Sequence, residues 1–275
     1  MKHVAAILAV VLAVAAPAFA HTLTLHGKMA EGALIRGRVD PGAQVTLNGH
    51  RVRVAPDGVF IFGFGRDAPA HATLGIAYRD GHRVHRDLGV AARTWLVQRI
   101  NGLPQNEVSP NPRTLARIIA NIKAVRAAHR ANSRLRGFER PLIWPVRGII
   151  TGVFGSERIL DGKPRAPHAG IDIAAPAGTP VHAAAGGVVT LAAPNFVLDG
   201  GIVVIDHGYG LSTLYIHLTH IAVHRGEKVH QGEVIAALGA TGRATGPNLH
   251  WGVYWYETAL DPRLAVAGPM PAAVK

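Results

Sequence analysis

Pro167-His168-Ala169-Gly170-Ile171-Asp172-Ile173 places a histidine four residues before an aspartate, with isoleucines at alternate positions. The β-branched Ile171 and Ile173 favour an extended segment over a helix. On a strand, positions i, i+2 and i+4 share a face. His168, Gly170 and Asp172 then point one way, and Ile171 and Ile173 point into a core. An imidazole and a carboxylate on one face make half of a zinc site. A single His-x-x-x-Asp pair arises often by chance, so the rest of the ligand set has to come from elsewhere in the chain.

Downstream of Leu142, glycine and alanine become more frequent, and short β-branched runs are separated by Pro/Gly turns. Ile149–Gly155, Gly187–Leu191, Gly201–His207, Leu211–Leu218, Val234–Gly239 and Leu249–Tyr254 have strand character, and Gly208-Tyr209-Gly210 makes a hairpin. The segment is expected to be an antiparallel β domain with long loops. Two further polar clusters fall on these strands. Tyr215 and His217 are expected to share one face, opposite Ile216 and Leu218, and Asn248 and His250 to share another. Taken singly, a histidine on a buried face is usually a hydrogen-bonded structural residue. Taken together, two histidines and one carboxylate are the three-ligand, one-open-position set of a catalytic zinc. His207 precedes the hairpin and is expected to be structural, while His182, His220, His224 and His230 fit no ligand spacing.

Several stretches recur in a known order: Val153-Phe154-Gly155, Pro167–Asp172, Ala175-Pro176-Ala177-Gly178-Thr179-Pro180-Val181, Ile205-Asp206-His207-Gly208-Tyr209-Gly210, Tyr215-Ile216-His217-Leu218, Gly226-Glu227-Lys228-Val229 and Thr241–His250. With them, the segment from about Trp144 to Pro262 resembles the lysostaphin/LytM-type zinc endopeptidases, which cleave peptide bonds of bacterial cell-wall peptidoglycan. The resemblance implies a duplicated-hybrid-motif-like β fold and one zinc ion per chain. Its ligands would be His168, Asp172 and His250, with a zinc-activated water as nucleophile. It also implies that His217 is a catalytic residue handling a proton or stabilising the oxyanion. Tyr215 would orient His217 or line the groove. The family usually carries His-x-His where this chain has Asn248-Leu249-His250. Asparagine holds a hydrogen bond but exchanges no proton near neutral pH, so Asn248 is expected to serve only as a hydrogen-bond donor.

Residues 1–20 have the pattern of a signal peptide: a basic start, the apolar run Val4–Ala16, and Ala18-Phe19-Ala20 before the expected cleavage point. The apolar run is too short to persist as a membrane span. The chain of 275 residues has no cysteine, so a large core or a metal is expected to hold it rather than disulfides. Its net charge of +12 suits an exported protein that meets anionic envelope polymers and membrane surfaces, and the resemblance implies peptidoglycan as its partner. No nucleic-acid-binding motif is present. The expected location is the periplasm or envelope of a Gram-negative bacterium.

Residues 21–92 are expected to form an immunoglobulin-like antiparallel β-sandwich, with turns at Asp40-Pro41-Gly42, Asn48-Gly49, Pro56-Asp57-Gly58 and Asp80-Gly81. Its histidines His26, His50, His71, His82 and His85 are expected to be surface residues. A free N-terminal His21 would offer its amine and ring to a copper ion, with His26 as an added ligand, but the preferred reading is that signal cleavage merely falls there. Residues 93–141 are expected to link the two domains through an amphipathic helix over 112–131, opened by Asn111-Pro112. The peptidase domain is expected over 142–265, with a tail at 266–275 and a fold that stands alone when begun near Phe138, or from the helix at Arg113 if the apolar face of that helix docks on the β domain. The competing expectation, favoured by Asn248, is a weakened or inactive relative that binds the wall or activates another hydrolase.

Overall fold

The computed structural model describes residues 21–100, 111–160 and 163–270, so the expected signal peptide lies outside the described residues. The chain is mainly β, as the alternating runs anticipated. The N-terminal part has two antiparallel sheets. One has the order Leu23–His26, Leu34–Val39, Val59–Gly63; the other His50–Val52, Gln44–Leu47, His71–Ala77, Arg83–Gly89. Ile35, Val45, Phe60, Phe62 and Leu74 fill the core that the sheets share. Asn48 and Gly49 both have positive φ, the backbone a two-residue hairpin requires. The His21 ring lies between Asp40 and Asp80 at 3.0 and 3.1 Å, stacked on Tyr78.

The larger sheet runs Lys228–Val229, Gly187–Phe196, Gly200–Gly208, Leu211–Ile221, Asn248–Trp255, Ile171–Ala174, Ile149–Gly152. One face is the main core, where Ile171, Ile173, Tyr215, Leu249, Trp251 and Val253 are sealed from solvent. His207 belongs to this core. Its Nδ1 faces the Gly186 carbonyl at 3.0 Å and its Nε2 the Thr213 hydroxyl at 2.7 Å, so it is structural as expected.

The other face is partly covered by helix α1, Pro112–His129. Asn111 caps it, its side chain accepting from the Thr114 amide at 2.9 Å, and Pro112 occupies the first turn. Ala128 packs on Ile202, Val204, Leu214 and Ile216. His129 is buried, with its Nδ1 2.8 Å from the Ser212 hydroxyl and its ring stacked on Tyr254. Further up the helix Asn121 accepts from the Val197 amide at 3.0 Å, but the apolar stripe is less covered there, with Leu115, Ile119 and Ile122 remaining 44–45% exposed.

The segment 93–141, expected to link the domains through an amphipathic helix, also makes contacts outside that helix. Val97–Ile100 pairs in parallel with Glu157–Leu160. Arg93 reaches the fully buried Asp261 at 2.7 Å. Leu34, Ala55 and Ile61 of the N-terminal part sit in the same core cluster as Ile171 and Trp251. Phe138 is fully buried there and tilts against Tyr209. A chain begun near Phe138 would therefore uncover apolar surface on both faces of the large sheet. The start of the expected tail is also tied down, since Val266 bridges Leu142.

Burial holds both His129 and His207 neutral, lowering each to about 4. In the unfolded chain they protonate near 6.5. Between these values the unfolded state binds more protons, so stability falls as pH drops from about 6.5 to about 4, by roughly 3 kcal/mol for each residue. Urea unfolding at pH 7 and pH 4.5 should show a clear loss of midpoint at the lower pH. His129→Phe should reduce that loss. An unchanged pH dependence in the variant would show that His129 is not buried as described.

Candidate metal centre

The centre is built on the pairing of Ile171–Ala174 with Asn248–Trp255, which sets Asp172 opposite His250. Ile171 and Ile173, with their partners Trp251 and Leu249, are locked into the core on the opposite face. A slip of one residue would bury the polar pair and expose the isoleucines, so burial fixes the register. His168 approaches from the loop before the strand. Its Nδ1 meets the Val153 carbonyl at 3.1 Å, which turns Nε2 towards Asp172 and His250. Glycine is required at two places around this turn. A Cβ on Gly170 would lie 2.4 Å from the Trp251 carbonyl oxygen, and one on Gly152 would lie 2.3 Å from Asp172 Oδ2.

Three atoms converge. His168 Nε2 lies 3.1 Å from Asp172 Oδ1 and 2.8 Å from His250 Nδ1, and His250 Nδ1 lies 2.9 Å from the same oxygen. Burial alone would raise the Asp172 carboxyl, but hydrogen bonds from His168 and His250 outweigh it and hold the group below the usual carboxylate range. Burial also pulls His250 below the ordinary imidazole value. A carboxylate held ionised beside a histidine biased to be neutral is a donor set ready for a cation. The Val153 carbonyl behind His168 is the outer hydrogen bond that metal-binding imidazoles ordinarily make. Among the described residues, this is the one group of three such side chains with converging atoms. The residues fit a metal.

His217 is brought towards the same face by a bulge. Along its strand, Ile216 pairs with Ile202 and Leu218 with Gly201, leaving His217 as the extra residue with φ +67°. A non-glycine residue in the left-handed region at a bulge re-aims its side chain. His217 Nδ1 donates to the Thr241 carbonyl at 2.8 Å, leaving Nε2 as the basic nitrogen. Its ring lies within electrostatic range of His250.

The bulge corrects the expectation for Tyr215. Tyr215 pairs with Trp251, on the core side, whereas Ile216 pairs with His250. The Tyr215 hydroxyl lies 2.9 Å from Thr213 Oγ1 and accepts from the Ala184 amide at 2.8 Å, with the whole residue sealed from solvent. It neither lines the groove nor orients His217; Thr241, which the sequence reading missed, does the orienting. Asn248 stands on the site face as expected, pairing with Ala174 two residues from His250, and its Nδ2 donates to the Gly246 carbonyl at 2.7 Å. Asp199 is a second omission. It comes near His217 and His250 through the fold, and no spacing in the sequence signals it.

Residues 166–262 match the model of Peptidase family M23. Over 123 residues the chain is 48% identical to the peptidoglycan DD-endopeptidase ShyA of Vibrio cholerae, covering 44% of this chain and 28% of that protein. Over 104 residues it is 44% identical to the DD-carboxypeptidase/endopeptidase Mpg of Neisseria meningitidis, covering 38% of this chain and 24% of that protein. The matched part thus spans about a quarter of the length of these curated relatives. A solved structure assigned to peptidase M23 from Pseudomonas aeruginosa superposes with a TM-score of 0.64 at 28% identity, over 87% of this chain and 95% of that one. The stretch from residue 166 to residue 262, which contains His168, Asp172 and His250, is a Peptidase family M23 domain.

Proposed function

We propose that this chain is an exported, zinc-dependent endopeptidase that hydrolyses the peptide cross-links of bacterial peptidoglycan. The observation that carries the reading is the convergence of His168 Nε2, Asp172 Oδ1 and His250 Nδ1 inside the M23 domain. Two imidazoles and one carboxylate leave a tetrahedral cation one open position, as catalytic zinc sites do. Zinc bound there would supply Lewis-acid polarisation of the scissile carbonyl and a water acidic enough to ionise near neutral pH. His217 holds its Nδ1 proton on Thr241, so its Nε2 is free to take a proton and hand it to the leaving amine. Asn248 has one N–H committed to Gly246, and its second N–H can donate to a developing oxyanion. It cannot relay a proton, which leaves that duty to His217.

Metal analysis should find one zinc per chain, lost in His168→Ala, Asp172→Ala and His250→Ala. Full occupancy in any of the three would remove the site as described. Chelation should also lower thermal stability, by about 2.7 kcal/mol relative to zinc at one hundred times its dissociation constant.

Digestion of purified peptidoglycan, with cross-link products read by mass spectrometry, should depend on zinc. His217→Ala should keep the metal and lose roughly 10²- to 10⁴-fold in rate. Asn248→Ala should cost less than about 2.7–4 kcal/mol, and Asn248→His should raise turnover. Asn248 also favours a second reading, a wall-binding protein without hydrolysis. A zinc-loaded native chain that releases no cross-link product, while wall binding survives His217→Ala, would decide for that second reading.

A further inference from the structure

Asp172 and His250 are fixed by strand pairing, but His168 lies in the loop before the strand, so its position depends on what holds that loop. The turn Val153–Ser156 supplies the hold at three points. The Val153 carbonyl faces His168 Nδ1 at 3.1 Å. The His168 amide donates to the Ser156 carbonyl at 2.8 Å, and the Gly155 amide donates to the His168 carbonyl at 2.9 Å. Ring and backbone of His168 are thus both set by one short turn, which precedes the matched stretch 166–262.

The turn is gripped in its own right by the N-terminal part of the chain. Arg66, just beyond the strand Val59–Gly63, donates from Nε to the Gly155 carbonyl at 2.8 Å and from Nη2 to Glu157 Oε2 at 3.0 Å. Its Nη1 meets the exposed Asp67 at 2.6 Å. One planar guanidinium therefore holds the turn backbone and the carboxylate that follows it. The Arg66 and Glu157 side chains are only 16% and 19% exposed, so their attraction is screened less than that of a surface pair. Trp95 packs on the same turn. Phe154 meets its ring edge-on at 5.6 Å, and a Cβ on Gly155 would lie 2.2 Å from Trp95 Cε3. The Arg66 guanidinium also lies 5.6 Å from the centre of the Trp95 ring. Arg36 joins the two parts of the chain elsewhere, donating to the Phe138 and Arg140 carbonyls at 2.9 and 3.1 Å, and its acceptors are not in the turn that holds His168.

We propose that Arg66 is a positioning residue for the metal centre, setting His168 through the turn Val153–Ser156. This role rests on the zinc reading and adds to it that the N-terminal part of the chain shapes the ligand set. Outer hydrogen bonds fix the orientation of metal-binding imidazoles, and their loss lowers metal affinity. For His168 the outer bond ends on the Val153 carbonyl, and Arg66 fixes the turn that carries this carbonyl. Without Arg66 the Gly155 carbonyl and the Glu157 carboxylate lose a shared partner. His168 would then have to be ordered when the metal binds.

The test uses the full chain and zinc, with the dissociation constant read by competition against a chelating dye. Arg66→Gln should weaken zinc binding about 10-fold, the low end of the effect of outer partners. Arg66→Lys keeps the charge without the two-pronged grip, so it should restore part of the affinity, and it reads a smaller loss of the same kind if Arg66→Gln does not fold. Arg36→Gln loosens the same two parts of the chain without touching the turn, and should leave zinc affinity unchanged. Native affinity in both Arg66 variants, or an equal loss in Arg36→Gln, overturns the proposal. If the native chain binds no zinc, the zinc reading has failed, and amide hydrogen exchange of the metal-free chain decides the positioning role independently. Faster exchange at the Gly155 and His168 amides in Arg66→Gln, but not in Arg36→Gln, supports it. Unchanged exchange, or the same increase in both variants, refutes it.

Discussion

The antiparallel register between Ile171–Ala174 and Asn248–Trp255 is the constraint on which the site depends. It joins segments separated by most of the M23 domain and sets Asp172 against His250. The pairing is enforced from behind. Ile171, Ile173, Leu249 and Trp251 are fully buried, and a one-residue slip would expose all four. The hydrophobic effect thus acts here as a positioning force. The main core fixes one face of the sheet, and the polar donors stand on the other because no alternative register is tolerable.

A single irregularity places the proposed proton-handling residue. If the strand Leu211–Ile221 were regular, His217 would point with Tyr215 into the core. The extra residue at His217 breaks the alternation and costs a left-handed backbone conformation in a β-rich environment. The hydrogen bonds from His217 to the Thr241 and Asp199 carbonyls, one from the ring and one from the amide, hold that conformation in place. Tyr215 instead completes a buried chain that runs from Gly186 through His207 and Thr213 to Ala184. Such a network makes the core behind the site rigid as long as every member is satisfied.

Helix α1 and the N-terminal sheets are structural neighbours of the centre rather than appendages. The helix clamps the site face through Ala128 and His129, leaving a cleft beside His250. The N-terminal part shares a core with the large sheet and is tied to it by Arg93 on the buried Asp261. The exposed stripe Leu115, Ile119, Ile122 shows why a helical period alone misjudges docking. The period places apolar residues on one side of a helix, but the partner surface determines how far along the helix that side is covered.

Local chemistry in the sequence determined much of this protein. The alternation of Ile171 and Ile173 defined the strand beneath Asp172, Asn48-Gly49 defined a hairpin, and Asn111-Pro112 defined the start of the helix. Each depends on residues within a few positions of one another. The set His168, Asp172 and His250 was legible because motif order over nearly half the chain carried it, although its convergence was not visible from spacing. Tertiary structure alone decided the rest. A bulge is a property of two paired strands, so it separated Tyr215 from His217 without any local mark. Asp199 and His129 reached the site only when distant segments packed together. The boundary near Phe138 dissolved because apolar residues from both halves filled one core. Short-range steric and hydrogen-bonding preferences can be read from the chain, whereas which side chains share a cavity depends on the closed sheet.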